Sequence, residues 1–380
     1  MSKLGLFIFI DGFGWDALCK HPYFMQEAVH KKPLETVLGY SSACDPSIIT
    51  GKYPSEHGLW SSYFYSPATS PFKKMSWLQW LPRSLTDSAR VRNRLSKYVA
   101  KACGFSGYYQ LYNVPFQHMP LFDYAERNWI WGTRNSIPGA RSIFELMLDK
   151  QIPFYVKEAS AVTEEEQWQA ARQKIQQQEI RFAYLLLGKV DGLMHQLGTE
   201  HLQVDRQIEL YNCQIQRLIY EAQLSYEEVN WYVFSDHGMH DVHSAVDLEK
   251  SIGELGLHYG SDYIAFYDST MARFWFLHDR ARLQITQLLS QTPNGRILPY
   301  EELQELGVYF PDNKYGERIF LVDPGFLLVP SYMGRKKIAG MHGYHPREMQ
   351  AKAMLCASHK VPDTLQAIPQ LYSLMLQNLD

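Results

Sequence analysis

Leu4-Gly5-Leu6-Phe7-Ile8-Phe9-Ile10-Asp11-Gly12-Phe13-Gly14 opens the chain as an apolar run that stops at a carboxylate followed by flexible backbone. A short run of this kind reads as a strand buried on both faces. The pattern returns twice, with Phe182 to Leu187 shortly before Asp191 and Trp231 to Phe234 shortly before Asp236. Helical stretches lie between: Thr163 to Gln178, where Thr163 and Glu166 have capping-box spacing, and His201 to Leu224, with apolar residues at helical intervals. Strands alternating with helices predict a mostly parallel central sheet covered on both faces. Ligands of such sheets bind beyond the carboxyl ends of the strands, so Asp11, Asp191 and Asp236 are expected to share one site.

Two segments interrupt the alternation. Residues 60–135 are crowded with aromatics, among them Trp60, Tyr108, Tyr112, Trp129 and Trp131, and carry Arg83, Arg90, Arg92 and Arg94. They read as a cap inserted after the first strand–helix unit. Residues 255–340 hold β-like runs at Tyr263 to Tyr267, Ala272 to Leu277, Ile319 to Val322 and Phe326 to Val329, around a helix near Arg280 to Ser290. They predict a smaller α+β insertion, and the expectation for residues 1–380 is one catalytic domain carrying both additions.

With 46% hydrophobic and 20% charged residues the chain has the make-up of a globular protein. A net charge of -3 gives no sequence-wide attraction for polyanions, which argues against a nucleic-acid scaffold and for a small-molecule substrate. Cys19, Cys44, Cys103, Cys213 and Cys356 are odd in number and lack any C-x-x-C pair, so they read as free thiols. The opening apolar run is too short to span a bilayer, no run of about 18 apolar residues follows, and no membrane span is expected. The expected location is the cytoplasm.

Each chemical motif also has an ordinary structural reading. Asp236-His237-Gly238 offers a carboxylate and an imidazole side by side, half of a metal site or equally a loop acid beside a capping histidine. Asp191 and His195, four apart, share a face if a helical turn starts there, although Asp191 as a simple cap explains the pair as well. Asp11 fits a ligand or an Asx turn. His342, in Gly340-Met341-His342-Gly343, proves little singly. Ser41 and Ser42 stand where a helix N-terminus would present free N–H groups to phosphate oxygens, or where a serine merely caps.

Taken in order, Asp11, Ser41 with Thr50-Gly51-x-Tyr-Pro-x-x-His-Gly, Asp191-x-x-x-His195, Asp236-His237-Gly-Met and His342-Gly-Tyr resemble the alkaline phosphatase superfamily, and within it the type I phosphodiesterase and nucleotide pyrophosphatase family. The resemblance covers both ends of the chain, down to a last strand near Ala353 to Ser358, and fades in residues 65–135 and 255–330. It implies an alkaline phosphatase-like three-layer α/β/α sandwich and two divalent metal ions, with zinc the expected metal. One ion would take Asp191, His195 and His342, the other Asp11, Asp236 and His237. Ser41 occupies the nucleophile position, with Ser42 as its alternative. Ser62, Ser42 and His345 are the candidates for contacting the phosphate.

The family's nucleotide-cleaving members typically carry threonine and asparagine where this chain has Ser41 and Ser62. Phosphodiester or pyrophosphate cleavage is the first expectation and phosphomonoester cleavage the second. Cys44-Asp45-Pro46-Ser47 resembles a sulfatase signature, but Ile48 replaces its arginine, so Cys44 is read as a structural residue. A catalytically idle binding protein on the same fold is the reading from another class.

Overall fold

The computed structural model describes residues 3–81, 88–157 and 163–379; Arg83 lies outside them. Its central sheet has six strands in the order His30–Leu34, Ala353–Ala357, Glu228–Phe234, Lys3–Ile10, Phe182–Leu187, Phe154–Val156. Lys3–Ile10 pairs in parallel with both Phe182–Leu187 and Glu228–Phe234, and Phe154–Val156 extends the parallel set. Ala353–Ala357 alone runs against its neighbours.

Side-chain alternation along these strands makes the three layers. Phe7 and Phe9 face one core with Phe182, Tyr184, Tyr232 and Phe234, packed under the helices Ser41–Thr50, Ile143–Asp149 and Leu371–Gln377. Leu4, Leu6, Ile8 and Ile10 face the opposite core with Leu185 and Val233, under Glu164–Gln176, Lys189–Leu197 and Leu202–Ser225. Both faces of one strand are therefore buried, which is why its sequence is apolar without alternation. Phe7 stacks on Phe182 at 4.8 Å and on Tyr232 at 4.6 Å, tying three neighbouring strands together. Phe7→Ala would cost about 3–5 kcal/mol through the cavity it leaves. The expected capping box is present, with Thr163 N–H donating to Glu166 at 2.7 Å and Glu166 N–H to Thr163 Oγ1 at 3.2 Å.

A second, antiparallel sheet of four strands runs Tyr263–Tyr267, Met271–Phe276, Arg318–Val322, Gly295–Ile297, with the helix Asp279–Gln291 against it. Phe326–Leu328 does not join this sheet. It pairs in parallel with Ser244–Val246, because the chain turns at Gly325 (φ +83), where a Cβ would sit 2.1 Å from the His243 ring. The small sheet shares one core with the aromatic segment: Tyr63, Phe72, Leu111, Phe122 and Tyr124 pack with Phe266, Phe274 and Tyr332. Two stretches far apart in sequence thus support each other beside the carboxyl edge of the main sheet.

Candidate active site

Asp11 follows the first strand directly, held by its N–H donating to Leu187 O at 2.9 Å. Gly12 after it has φ +71, and a Cβ there would stand 3.0 Å from an Asp191 oxygen, so only glycine lets the two carboxylates come together. Asp191 and His195 lie on one face of Lys189–Leu197, with His195 Nε2 3.3 Å from Asp191 Oδ1. Asp236 and His237 follow Glu228–Phe234, and His342 follows the short strand Gly340–Met341. Ser41 opens its helix with Oγ 3.4 Å from His237 Nε2.

Seven side chains from five places in the sequence thus meet at one end of the sheet. Two groups of three have ligand atoms all within 4.8 Å of one another: Asp191, His195 and His342; and Asp11, Asp191 and His237. Asp191 belongs to both. Asp236 does not meet that mutual spacing, but its Oδ2 is 2.9 Å from His237 Nε2. Its other oxygen accepts from Gly12 N–H at 3.2 Å and His237 N–H at 2.9 Å, which fixes the carboxylate.

The hydrogen-bond pattern decides what the cluster can hold. His195 Nδ1 is 2.8 Å from Gly340 O and His237 Nδ1 is 3.0 Å from Gly238 O, so in each ring Nδ1 carries the proton and Nε2 offers a lone pair. Those lone pairs face carboxylate oxygens, including Asp11 Oδ1 at 3.6 Å from His237 Nε2. With the rings neutral, acceptor faces acceptor; against the lowering by burial, the neighbouring carboxylates raise both His195 and His237, so without a cation a proton on Nε2 fills the gap. Asp11 Oδ1, Asp191 Oδ1, Asp236 Oδ2 and His342 Nδ1 are all buried without a hydrogen-bond partner. Burial, then the charges of Asp191 and Asp236, pushes the Asp11 carboxyl well above the usual range. Burial holds His342 well below its usual value, so it is a neutral imidazole. Among native structures such unsatisfied buried atoms are few, and a cation bound between them is the simplest remedy.

The cluster lies in the wall of a cavity of about 870 Å³. Ser41, Ser42 and Ser62 line it. Ser42 Oγ donates to Trp60 O at 3.5 Å. Ser62 Oγ is 3.5 Å from Glu126. His345 is not among the lining residues: its Nε2 sits 2.9 Å from Glu302, whose carboxyl Arg296 and then His345 hold down at about 2. That contact holds the ring outside the cavity lining, away from the phosphate position expected for it. Cys44 is buried against Val37 O and faces the core. Arg92 turns inward to the carbonyls of Tyr112 and Val114, and His57 is buried between Ser47 and Leu59 N–H.

Four carboxylates in the cavity wall were missed from sequence, Asp45, Glu126, Glu164 and Asp268. Asp45 had a readable signal, since it stands four residues after Ser41 and shares its helix face. Glu126 had none, because the pairing of Tyr63–Tyr65 with Phe122–Tyr124 delivers it. Burial raises Glu126 to about 7 and Asp45 well above its ordinary value.

An α/β/α sheet whose carboxyl edge gathers these acids and histidines beside a helix-opening serine defines an alkaline phosphatase-like phosphoester hydrolase. The type I phosphodiesterase / nucleotide pyrophosphatase family matches residues 6–345, and the chain belongs to that family. The fold is similar to that of murine ectonucleotide pyrophosphatase/phosphodiesterase 5, with a TM-score of 0.69 and 16% identity over 100% of this chain and 95% of that one. The human counterpart gives 0.68 and 14% over the same shares. An inactive variant of the murine protein in complex with AMP gives 0.68 and 16%, again over 100% and 95%. No curated protein matches the chain in a comparison of sequences.

Proposed function

We propose that the protein is a phosphodiesterase or pyrophosphatase that holds two divalent ions and attacks phosphorus with Ser41. The observation that carries this reading is the set of buried, unpartnered oxygens and imidazole lone pairs that converge beside the serine hydroxyl. Asp191, His195 and His342 would hold one ion and Asp11, Asp236 and His237 the other, and Asp191 belongs to both close groups of three. Mixed imidazole and carboxylate donors suit zinc. Bound there, such ions would supply Lewis-acid stabilisation of the phosphoryl oxygens and a lowered pKa for the attacking hydroxyl.

The charge of the wall supports the need for cations. Asp11, Asp45, Glu126, Glu164, Asp191 and Asp268 line the cavity, and Lys157 is the only Lys or Arg among the described lining residues. A phosphate ester would be repelled from such a wall by itself. Ser41 forms the new P–O bond as the P–O bond to the leaving alcohol or phosphate breaks in line. Ala43 and Cys44 N–H already donate to Tyr40 O, which leaves the N–H groups of Ser41 and Ser42 at the helix start to donate to phosphate oxygens. Water then hydrolyses the resulting seryl phosphodiester from the opposite side, which releases the phosphomonoester and restores the hydroxyl. Tyr108, Trp129 and Trp131 offer aromatic faces to the leaving group, which suits a nucleotide like the AMP bound by the murine relative.

Metal analysis of the purified protein with rates on bis(p-nitrophenyl) phosphate, p-nitrophenyl phosphate and a dinucleoside pyrophosphate tests this. Two equivalents of metal with diester or pyrophosphate turnover that Ser41→Ala abolishes is the expected result. Preference for the monoester would overturn the diesterase reading, and bound metal without turnover of any ester would favour a binding protein.

A further inference from the structure

The proposed hydrolysis leaves the arginines and lysines of the aromatic segment without a task. From His57 to Phe122 the sequence carries eight Lys and Arg against one acid, Asp87, in a chain of net charge -3. Six of the eight cations sit on the outer faces of two adjacent elements. In the 3₁₀ helix Pro71–Trp80, three residues per turn bury Phe72, Met75 and Leu78 in one row and leave Lys73, Lys74, Trp77 and Trp80 outside. Trp80 is 82% exposed and Trp77 48%. The helix Ala89–Cys103 packs against it, with Cys103 Sγ 3.6 Å from Pro71 O. Its inner face buries Arg92, Ser96 and Val99, and its outer face presents Arg90, Arg94, Lys97, Tyr98 and Lys101.

Elsewhere on the surface several cations are held by carboxylates, as Arg172 and Arg217 are by Glu221 and Arg296 by Glu302. The six of this face have no carboxylate partner among the described residues. The combination is unpaired positive charge, no described acid, and two indoles held open to water.

We propose that this face docks the protein on the surface of a lipid bilayer rich in anionic lipids. Basic side chains are drawn to anionic headgroups, and tryptophan rings settle at headgroup depth, where the apolar ring and its N–H are both accommodated. An acidic protein partner would complement the charge but gives no reason for two indoles beside it. A polynucleotide would engage the charge over a longer track than these two short elements provide. No helix among the described residues is long and apolar enough to cross a membrane, so the contact lies on the surface. The chain passes from the end of this helix directly into Ser106, Gly107 and Tyr108, which line the catalytic cavity. Docking therefore sets the cavity wall next to the membrane contact.

Cosedimentation of the whole protein with vesicles tests the proposal independently of catalysis. Vesicles of phosphatidylcholine alone are compared with vesicles containing phosphatidylglycerol at roughly 7:3, at about 50 mM and about 500 mM NaCl. Expected is at least about tenfold stronger partitioning onto the anionic vesicles, weakened by salt. Arg94→Ala and Lys97→Ala should each weaken it about fivefold. Trp77→Ser with Trp80→Ser should remove the part of the binding that survives high salt, while hydrolysis of a soluble ester and the circular dichroism spectrum stay as in the parent. Equal partitioning onto both vesicles, binding indifferent to all four substitutions, or retention on heparin or duplex DNA with none on vesicles would overturn it.

Discussion

Two clusters of buried charge face the same cavity and are built on opposite principles. Around Asp268 and Arg273, which are 1% and 0% exposed, every polar atom has a partner. Arg273 Nε donates to Asp268 at 2.7 Å, one terminal nitrogen donates to Tyr63 O at 2.8 Å and the other to Ser61 Oγ at 3.1 Å, and Ser61 closes the ring by donating to Asp268 at 3.1 Å. Around Asp11, Asp191 and Asp236 one carboxylate oxygen of each is buried without a hydrogen-bond partner, and His195, His237 and His342 turn Nε2 toward these carboxylates. Buried charge is common to both. What distinguishes a functional centre is the surplus of acceptors, because a closed network has no capacity left for a ligand.

Substitutions should separate the two clusters, most strongly at the chemistry itself. Ser41→Ala leaves every ligand in place, so metal content should match the parent while turnover falls on the order of 10⁴-fold or more. Retained turnover would hand the nucleophile to another group, with Ser42 the first to examine. Asp191→Asn removes charge from the residue shared by both groups of three. Bound metal should drop below two equivalents and turnover at least about 10²-fold. The metal-free form of the same variant should be no less stable than the metal-free parent, since Asp191 is a source of the repulsion that raises Asp11. A metal-free variant that melts well below its parent would mean that the open cluster is structural after all.

Arg273→Met reverses that outcome. Removing the cation leaves Asp268 buried and unpaired, at a cost of about 3–5 kcal/mol, whereas metal stoichiometry should be unaffected. Denaturant unfolding with and without chelator measures both. Loss of metal from this variant would show that the closed ring props the open one.

The contrast also explains what could be read from sequence. Strand runs such as Leu4 to Ile10 are visible because burial on both faces removes all polar residues, and the ligands that end them are visible because strand ends are marked by such runs. His342 needed the ordered set of motifs, since its placement beside His237, ring centroids 3.7 Å apart, is created by long-range packing. The Asp268–Arg273 ring, Glu126 and the tie of His345 to Glu302 were not legible. Each joins residues through tertiary contacts of elements whose own patterns say only that they are β or aromatic-rich. For the same reason the common core of the aromatic segment and the small sheet could not be seen in either stretch alone.

Glu126 sharpens the comparison at its smallest scale, because it belongs to neither type: it is 7% exposed, its carboxyl has only Ser62 at 3.5 Å among the described residues, and burial lifts it to about 7 from an ordinary 4.5. Between those values the folded chain keeps a proton that the unfolded chain has released. Stability must therefore fall as pH rises from about 4.5 through about 7, and the loss persists above it. The shift corresponds to roughly 3 kcal/mol as an order of magnitude. Glu126→Gln keeps the shape and removes the ionisation, so in chelator-treated protein the variant should match its parent near pH 4.5 and exceed it by up to about 3 kcal/mol at pH 8. Parallel stability curves for the two across that range would mean that Glu126 ionises at an ordinary pH and that its burial is compensated by a partner.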